Sequence, residues 1–211
     1  MNCKKVILVR HAESSNNVSK RTWQRTFGSL RLPSSWREVG EVASLATLPM
    51  DSPLTTSGQR MIDRQRDAFQ DIMKSSGTTT IMHSHLQRAK LTAEGLCAGW
   101  DEASLEECPI LYEKSLGEYA RIKSFASRVQ EFRLLLAART EASLALVGHS
   151  MLFRKLVPQM QERKHEVGNV SVWAADLWED GTWHNVELLV PGWRDGWDAG
   201  PQRVEDDQDG I

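Results

Sequence analysis

The stretch Val6-Ile7-Leu8-Val9-Arg10-His11-Ala12-Glu13-Ser14-Ser15-Asn16-Asn17 decides how the chain is read. It opens on apolar, mostly β-branched residues, the composition of a buried strand. An Arg-His pair stands where that strand should end. The polar segment behind it, with Ser14, Asn16 and Asn17, can open a helix. In an open α/β sheet the C-terminal strand ends are where ligands bind. The stretch therefore delivers a guanidinium and an imidazole to such an edge, with helix N–H groups close behind. That is equipment for an anion such as phosphate. Taken alone, it fits equally a strand end with a solvated Arg-His pair.

Working outward, strands and helices alternate. Thr55 to Lys74 predicts a helix, capped by Ser57 and with Met61, Ala68, Phe69, Ile72 and Met73 on its apolar face; Gly77 ends it. Thr78 to Met82 predicts the second strand, with His83-Ser84-His85 at its C-terminal end. Leu86 to Ala98 predicts the next helix, which places Arg88 in its first turn. Residues 99–110 read as loop with room for a short strand. Ser124 to Arg139 predicts a helix, Ser143 to Val147 a buried strand ending near His149, and Met151 to Met160 a helix distorted by Pro158. Val170 to Leu177 and Thr182 to Val190 are strand-like, and Glu179-Asp180-Gly181 between them signals a hairpin. The expected fold class is α/β: a three-layer α/β/α sandwich on a mostly parallel central sheet with a C-terminal β-hairpin. The strand ends carrying Arg10-His11, Ser84 to Arg88, and His149 can converge on one edge.

At 211 residues the chain reads as a single domain, 1–211. Residues 18–50 form a basic stretch with Lys20, Arg21, Trp23, Arg25, Arg31, Trp36 and Arg37, read as an insertion near the site mouth. It is either a solvated surface loop or one whose cations meet an acidic ligand. Residues 191–211, rich in Gly, Trp and Asp, predict loop and an acidic tail. A net charge of −2 gives no global field for nucleic acid or membrane, so neither is expected as a partner. No apolar run approaches the roughly 20 residues of a membrane helix. The N-terminus runs straight into a strand without room for a signal peptide, and Cys3, Cys97 and Cys108 lack metal-ligand spacing. Together these predict a cytoplasmic protein with reduced thiols. The tryptophans, concentrated in the C-terminal third, are expected to serve packing.

Four blocks, Arg10-His11-Ala12, His83-Ser84-His85-Leu86-Gln87-Arg88-Ala89 with Thr92-Ala93, Leu111-Tyr112-Glu113 with Gly117-Glu118, and Leu146-Val147-Gly148-His149-Ser150, occur in the order and type of the histidine phosphatase superfamily. The chain resembles its branch of phosphoglycerate mutases and small phosphatases from about Val6 to Val190. A weaker block, Asp51-Ser52-Pro53-Leu54-Thr55-Thr56-Ser57-Gly58, is similar to that family's turn before its second helix. The resemblance implies a metal-independent phosphomonoesterase acting on a small phosphorylated substrate, without a cofactor. It gives His11 the role of nucleophile, carried through a phosphohistidine, with its other ring nitrogen donating to a backbone carbonyl. Arg10 and Arg88 would clamp the phosphoryl oxygens. His149 would donate to the transferring group as a cation, and Asn17 would add a neutral donor; the Ser150 hydroxyl, which the family pattern lacks, would either donate to phosphate or crowd the pocket. Glu113 matches the acid/base carboxylate, with Glu118 close enough to be taken for it.

Departures from the family pattern are Ala12 and Ser150, each where glycine is usual, and His83, where a small residue is common. None removes a catalytic group. His83 and His85 form a His-x-His, but no carboxylate or cysteine stands at ligand spacing, so no metal is expected. The segment from Glu113 to His149 is short for a mutase, which favours hydrolysis. A phosphoglycerate mutase-type phosphotransferase and a non-catalytic phosphate-binding regulatory module are the alternatives. The natural substrate and the oligomeric state are not legible.

Overall fold

The structure, a computed structural model, describes residues 3–18, 51–115, 118 and 124–193. Nearly all of the basic stretch 18–50, and the acidic tail, lie outside the described residues. The opening stretch forms β1 (Cys3–Arg10). Successive side chains on a strand point to opposite faces. Accordingly Val6 and Leu8 enter one apolar cluster while Ile7 and Val9 enter another. The strand β4 (Ser143–Gly148) divides in the same way, Leu144 and Leu146 against Ala145 and Val147. Burial on both faces is why these strands read as unbroken apolar runs rather than alternating ones.

The remaining strands are β2 (Thr80–His83), β3 (Ser104–Glu107), β5 (Val172–Trp178) and β6 (Trp183–Val190). They build one six-stranded sheet in the order β3-β2-β4-β1-β5-β6. The pairs β3/β2, β2/β4 and β4/β1 are parallel; β5 runs antiparallel to both β1 and β6. The helices α1 (Thr56–Ser75) and α2 (Gln87–Leu96) supply Met61, Ile62, Phe69, Met73, Ala93 and Leu96 to one face. On the other face, α3 (Phe125–Ala138) and α4 (Ser150–Leu156) supply Val129, Phe132, Leu136, Leu152, Phe153 and Leu156. The three-layer, mostly parallel architecture with a terminal hairpin is therefore as expected. Trp173, Trp183 and Trp193 are buried, in keeping with a packing role.

Three local expectations change. The cap of α1 is Thr55, not Ser57: its Oγ1 accepts from Gly58 N at 2.9 Å and donates to Glu13 Oε1 at 2.8 Å, a long-range bond that selects it. Gly58 is required at this contact, because a Cβ there would stand 2.2 Å from Glu13 O. The helix expected over Met151 to Met160 divides into α4 and the single turn α5 (Gln159–Glu162), with Pro158 at the break, where it has no N–H to continue the ladder. Val170 does not begin β5: it adopts φ 57, a left-handed turn that a β-branched residue rarely takes. The Gly181 turn forms as expected, with φ 80, and joins β5 to β6.

Candidate active site

Sheet register brings the notable strand ends together. Arg10 pairs with Gly148 and His83 with Val147 across the adjacent strands β1, β4 and β2. His11 and His149 follow those ends, their ring centroids 5.1 Å apart. His11 is 4% exposed and His149 fully buried. The backbone bond from His11 N to Gly148 O, at 2.9 Å, ties the two loops directly.

The His11 ring is fixed in one tautomer. Its Nδ1 lies 2.7 Å from Ala12 O. A carbonyl can only accept, so Nδ1 carries the proton and the lone pair is on Nε2. The backbone around it is held from two sides. Ala12 N donates to Thr92 Oγ1 at 3.0 Å, and that hydroxyl donates to Arg88 O at 2.6 Å. Asn169 Nδ2 donates to His11 O at 2.9 Å, while Val170 N donates to Arg10 O at 3.0 Å. Sequence reasoning missed Asn169 altogether. Its only local signal is the Gly168-Asn169 turn before a strand, and its partner lies across the whole sheet.

His149 Nε2 is 3.1 Å from Ser84 Oγ, and its buried Nδ1 has no hydrogen-bond partner among the described residues. Burial pushes the His149 pKa well below its ordinary value, and His11, Arg88, Arg10 and His85 add positive neighbours in the same direction. Without a ligand these causes favour the neutral ring, while the expected cation concerns His149 donating to a bound phosphoryl group. The groups that repel a further proton there create a field suited to an anion.

Arg88 lies in the first turn of α2 as expected and is 6% exposed. Burial lowers its pKa, opposed by the carboxylates of Glu113 and Asp51, which places both acids near the guanidinium. Asp51 also caps α2 from a distance, accepting from Gln87 N at 2.6 Å. Arg10 directs Nη1 to Val167 O at 2.7 Å. Ser150 is the first residue of α4, immediately after His149. Asn17 closes the loop behind His11: its carboxamide oxygen accepts from Ser14 N at 3.1 Å and Ser14 Oγ at 2.9 Å, which leaves only its NH2 as a donor to a ligand.

The two glutamates separate cleanly. Glu113 Oε1 accepts from Lys114 N at 3.1 Å, and its carboxylate is one of the charges that raise the Arg88 pKa. Glu118 is held instead by Arg128, Nε to Oε1 at 2.7 Å and Nη2 to Oε2 at 3.0 Å. Burial pushes the Glu118 carboxyl up, but bonds from Arg128 and Ser115 outweigh this and hold it below the usual carboxylate range. His83 is buried with Nδ1 on Ser84 O at 3.0 Å, whereas His85 is exposed beside the Tyr112 ring at 5.9 Å. Among the described residues no group of three His, Cys, Asp or Glu is placed to hold a metal ion.

The model of the histidine phosphatase superfamily (branch 1) matches residues 40–124, a span that includes Arg88 and Glu113. No curated protein matches. The fold is similar to the phosphoglycerate mutase of Bacillus anthracis str. Sterne (TM-score 0.58, 16% identity, 89% of this chain and 92% of that one). It is also similar to the mycobacterial glucosyl-3-phosphoglycerate phosphatase (0.54, 15%, 89% and 98%). A third neighbour is the putative phosphohistidine phosphatase SixA of Agrobacterium tumefaciens (0.52, 16%, 88% and 94%). At these identities the structural likeness is one of fold. The family-model match covers less than half of the chain and names the superfamily that the sequence motifs resemble, and the solved structures add a shared fold. The fold is phosphoglycerate mutase-like. Among the described residues no helix is long and apolar enough to cross a membrane.

Proposed function

We propose that the protein is a metal-independent phosphatase that hydrolyses a small phosphomonoester through a phosphohistidine on His11. The observation that carries this reading is the His11 ring: Nδ1 is bound to Ala12 O, so the lone pair sits on Nε2, next to His149 and within a cluster that includes Arg10 and Arg88. In the first step Nε2 attacks phosphorus and the bond to the ester oxygen breaks. Glu113 gives its proton to that oxygen, and the alcohol leaves. In the second step Glu113 takes a proton from water, whose oxygen attacks phosphorus. The N–P bond breaks and phosphate departs.

Arg10 and Arg88 neutralise the equatorial oxygens, the charge that would otherwise call for a metal. The buried Nδ1 of His149 gains its missing partner from a phosphoryl oxygen, and a dianion there reverses the repulsion that keeps this ring neutral. Asn17 and Ser150 are read as further donors. The mutase of similar fold keeps retention of the phosphoryl group in view as the second reading.

Rapid quench with radiolabelled p-nitrophenyl phosphate tests the proposal. An acid-labile, base-stable phosphoenzyme is expected in the wild type, and His11→Ala is expected to lack both it and turnover. Wild-type-like turnover in His11→Ala refutes the nucleophile. With phosphoglycerate as substrate, release of inorganic phosphate supports hydrolysis, and isomer exchange without release supports the mutase.

A further inference from the structure

The guanidinium of Arg128 is committed entirely to one short segment. Nε and Nη2 form the fork on Glu118 at 2.7 and 3.0 Å. Nη1 donates to Ile110 O and Tyr112 O, both at 2.9 Å, and Nη2 reaches Glu113 O at 3.5 Å. The carbon of the guanidinium lies 3.7 Å from the Tyr112 ring centroid. The Arg128 and Glu118 side chains are 8% and 1% exposed. Glu118 in turn accepts from Ser115 N at 2.8 Å, fastening the segment on the far side of Glu113.

Breaking a buried pair of this kind is costly, whereas the pair as such adds little over apolar packing. Its specific product is geometry. The bonded carbonyls, those of residues 110, 112 and 113, lead into the acid, and the Ser115 bond follows it. Arg128 projects from α3, which packs on the sheet through Val129, Phe132 and Leu136. The backbone of Glu113 is thereby referenced to the same sheet that positions His11.

We propose that the Arg128–Glu118 pair is a positioning device that fixes the Glu113 carboxyl at the leaving-group oxygen, and so determines how well the enzyme cleaves esters of poor leaving groups. This rests on the reading of Glu113 as the proton donor. An alkyl ester must have its leaving oxygen protonated; an aryl ester such as p-nitrophenyl phosphate leaves as a stabilised phenolate. Displacing a general acid by about 1 Å costs on the order of 10–100-fold where the proton is needed.

The experiment compares single-turnover phosphorylation of His11 by p-nitrophenyl phosphate and by an alkyl phosphate in wild type, Glu113→Gln, Arg128→Lys and Glu118→Gln. Lys keeps the charge and loses the fork. Both brace variants are expected to slow the alkyl reaction about 10–100-fold and the aryl reaction far less, with faster hydrogen exchange over residues 110–115. A merely structural role predicts parallel slowing of both esters, or a lowered Tm with unchanged rates; either result overturns the proposal. If Arg128→Lys fails to fold, Glu118→Gln decides by the same criterion. If Glu113→Gln shows no leaving-group selectivity, the proton-donor reading fails and this proposal with it. If Glu113→Gln is selective and the brace variants are not, the positioning role alone is overturned.

Discussion

Thr92→Val removes one hydroxyl while keeping the shape of the side chain. Thr92 is fully buried, as is Ala12, whose N–H it accepts at 3.0 Å. No water reaches that N–H to replace the bond, so the substitution leaves a buried donor unpaired at a cost of about 1–3 kcal/mol. The lost bond to Arg88 O adds little, because that carbonyl sits in the first turn of α2 and keeps its helical acceptor role. For a chain of this size about 1 kcal/mol moves Tm by roughly 2–4 °C, so the expected fall is roughly 2–12 °C. The kinetic effect has a separate origin. Ala12 O is the acceptor that holds His11 Nδ1 at 2.7 Å, and loosening the preceding peptide, whose N–H Thr92 holds, frees the Ala12 torsions that aim this carbonyl. Single-turnover phosphoenzyme formation should then slow about 10-fold or more, through misorientation of Nε2. Differential scanning calorimetry and rapid quench on the same preparation read the two effects. A Tm within a degree of wild type, with unchanged phosphorylation, would refute the claim that Thr92 holds the nucleophile's loop.

Gly58→Ala should destabilise, although alanine favours a helix, because its Cβ would meet Glu13 O at 2.2 Å; thermal denaturation should show a loss of about 1–3 kcal/mol. His149 gives a pH dependence of definite sign. Its folded pKa is depressed, so between that value and 6.5 the unfolded chain binds more protons, and this contribution to stability falls as pH drops below 6.5 and is constant above it. Isothermal titration with sulfate, which does not itself titrate near neutrality, should detect net proton uptake at pH 7 as the anion restores the charge on His149; equal heats in buffers of different ionisation enthalpy would count against it. Turnover of p-nitrophenyl phosphate should survive EDTA and be inhibited by vanadate; loss on chelation restored by zinc or magnesium would revive His83 and His85 as ligands.

Where the sequence could be read and where it could not follows one physical line. β1 and β4 were legible because burial on both faces writes itself into consecutive positions, and the Arg10-His11 and His149 strand ends came with them. Arg88 was legible as the opening turn of α2 because strand, loop and helix follow within a few residues. The α1 cap was not: Thr55, Thr56 and Ser57 are equivalent candidates locally, and Glu13, 42 residues away, makes the choice. The same holds for the proposed acid. Glu113 and Glu118 cannot be ranked by spacing, and the arbiter is Arg128 on α3, which takes Glu118 into an ion pair and leaves Glu113 as the carboxylate whose charge acts on Arg88.

Thr92, Asn169 and Arg128 share a chemical feature that explains why they escape pattern reading. Each acts on backbone N–H or C=O groups of the segments proposed to be catalytic: Thr92 on Ala12 N, Asn169 on His11 O, Arg128 on the carbonyls of Ile110, Tyr112 and Glu113. Segments that carry catalytic groups outside helix and strand have backbone polar atoms without ladder partners, and burial makes each of these costly to leave unpaired. A side chain of the right reach must then come from elsewhere in the fold, at a sequence distance fixed only by topology. The proposed nucleophile and the proposed acid are thus supported by different layers of the molecule, α2 and the turn before β5 for His11, α3 for Glu113. A substitution in one support should therefore spare the function of the other. Thr92→Val should slow alkyl and aryl esters alike, because it acts on the attacking nitrogen, whereas Arg128→Lys should separate them, because it acts on the leaving oxygen. The pair of variants, measured side by side, divides the site into its two halves, and a shared leaving-group profile would show that they move as one.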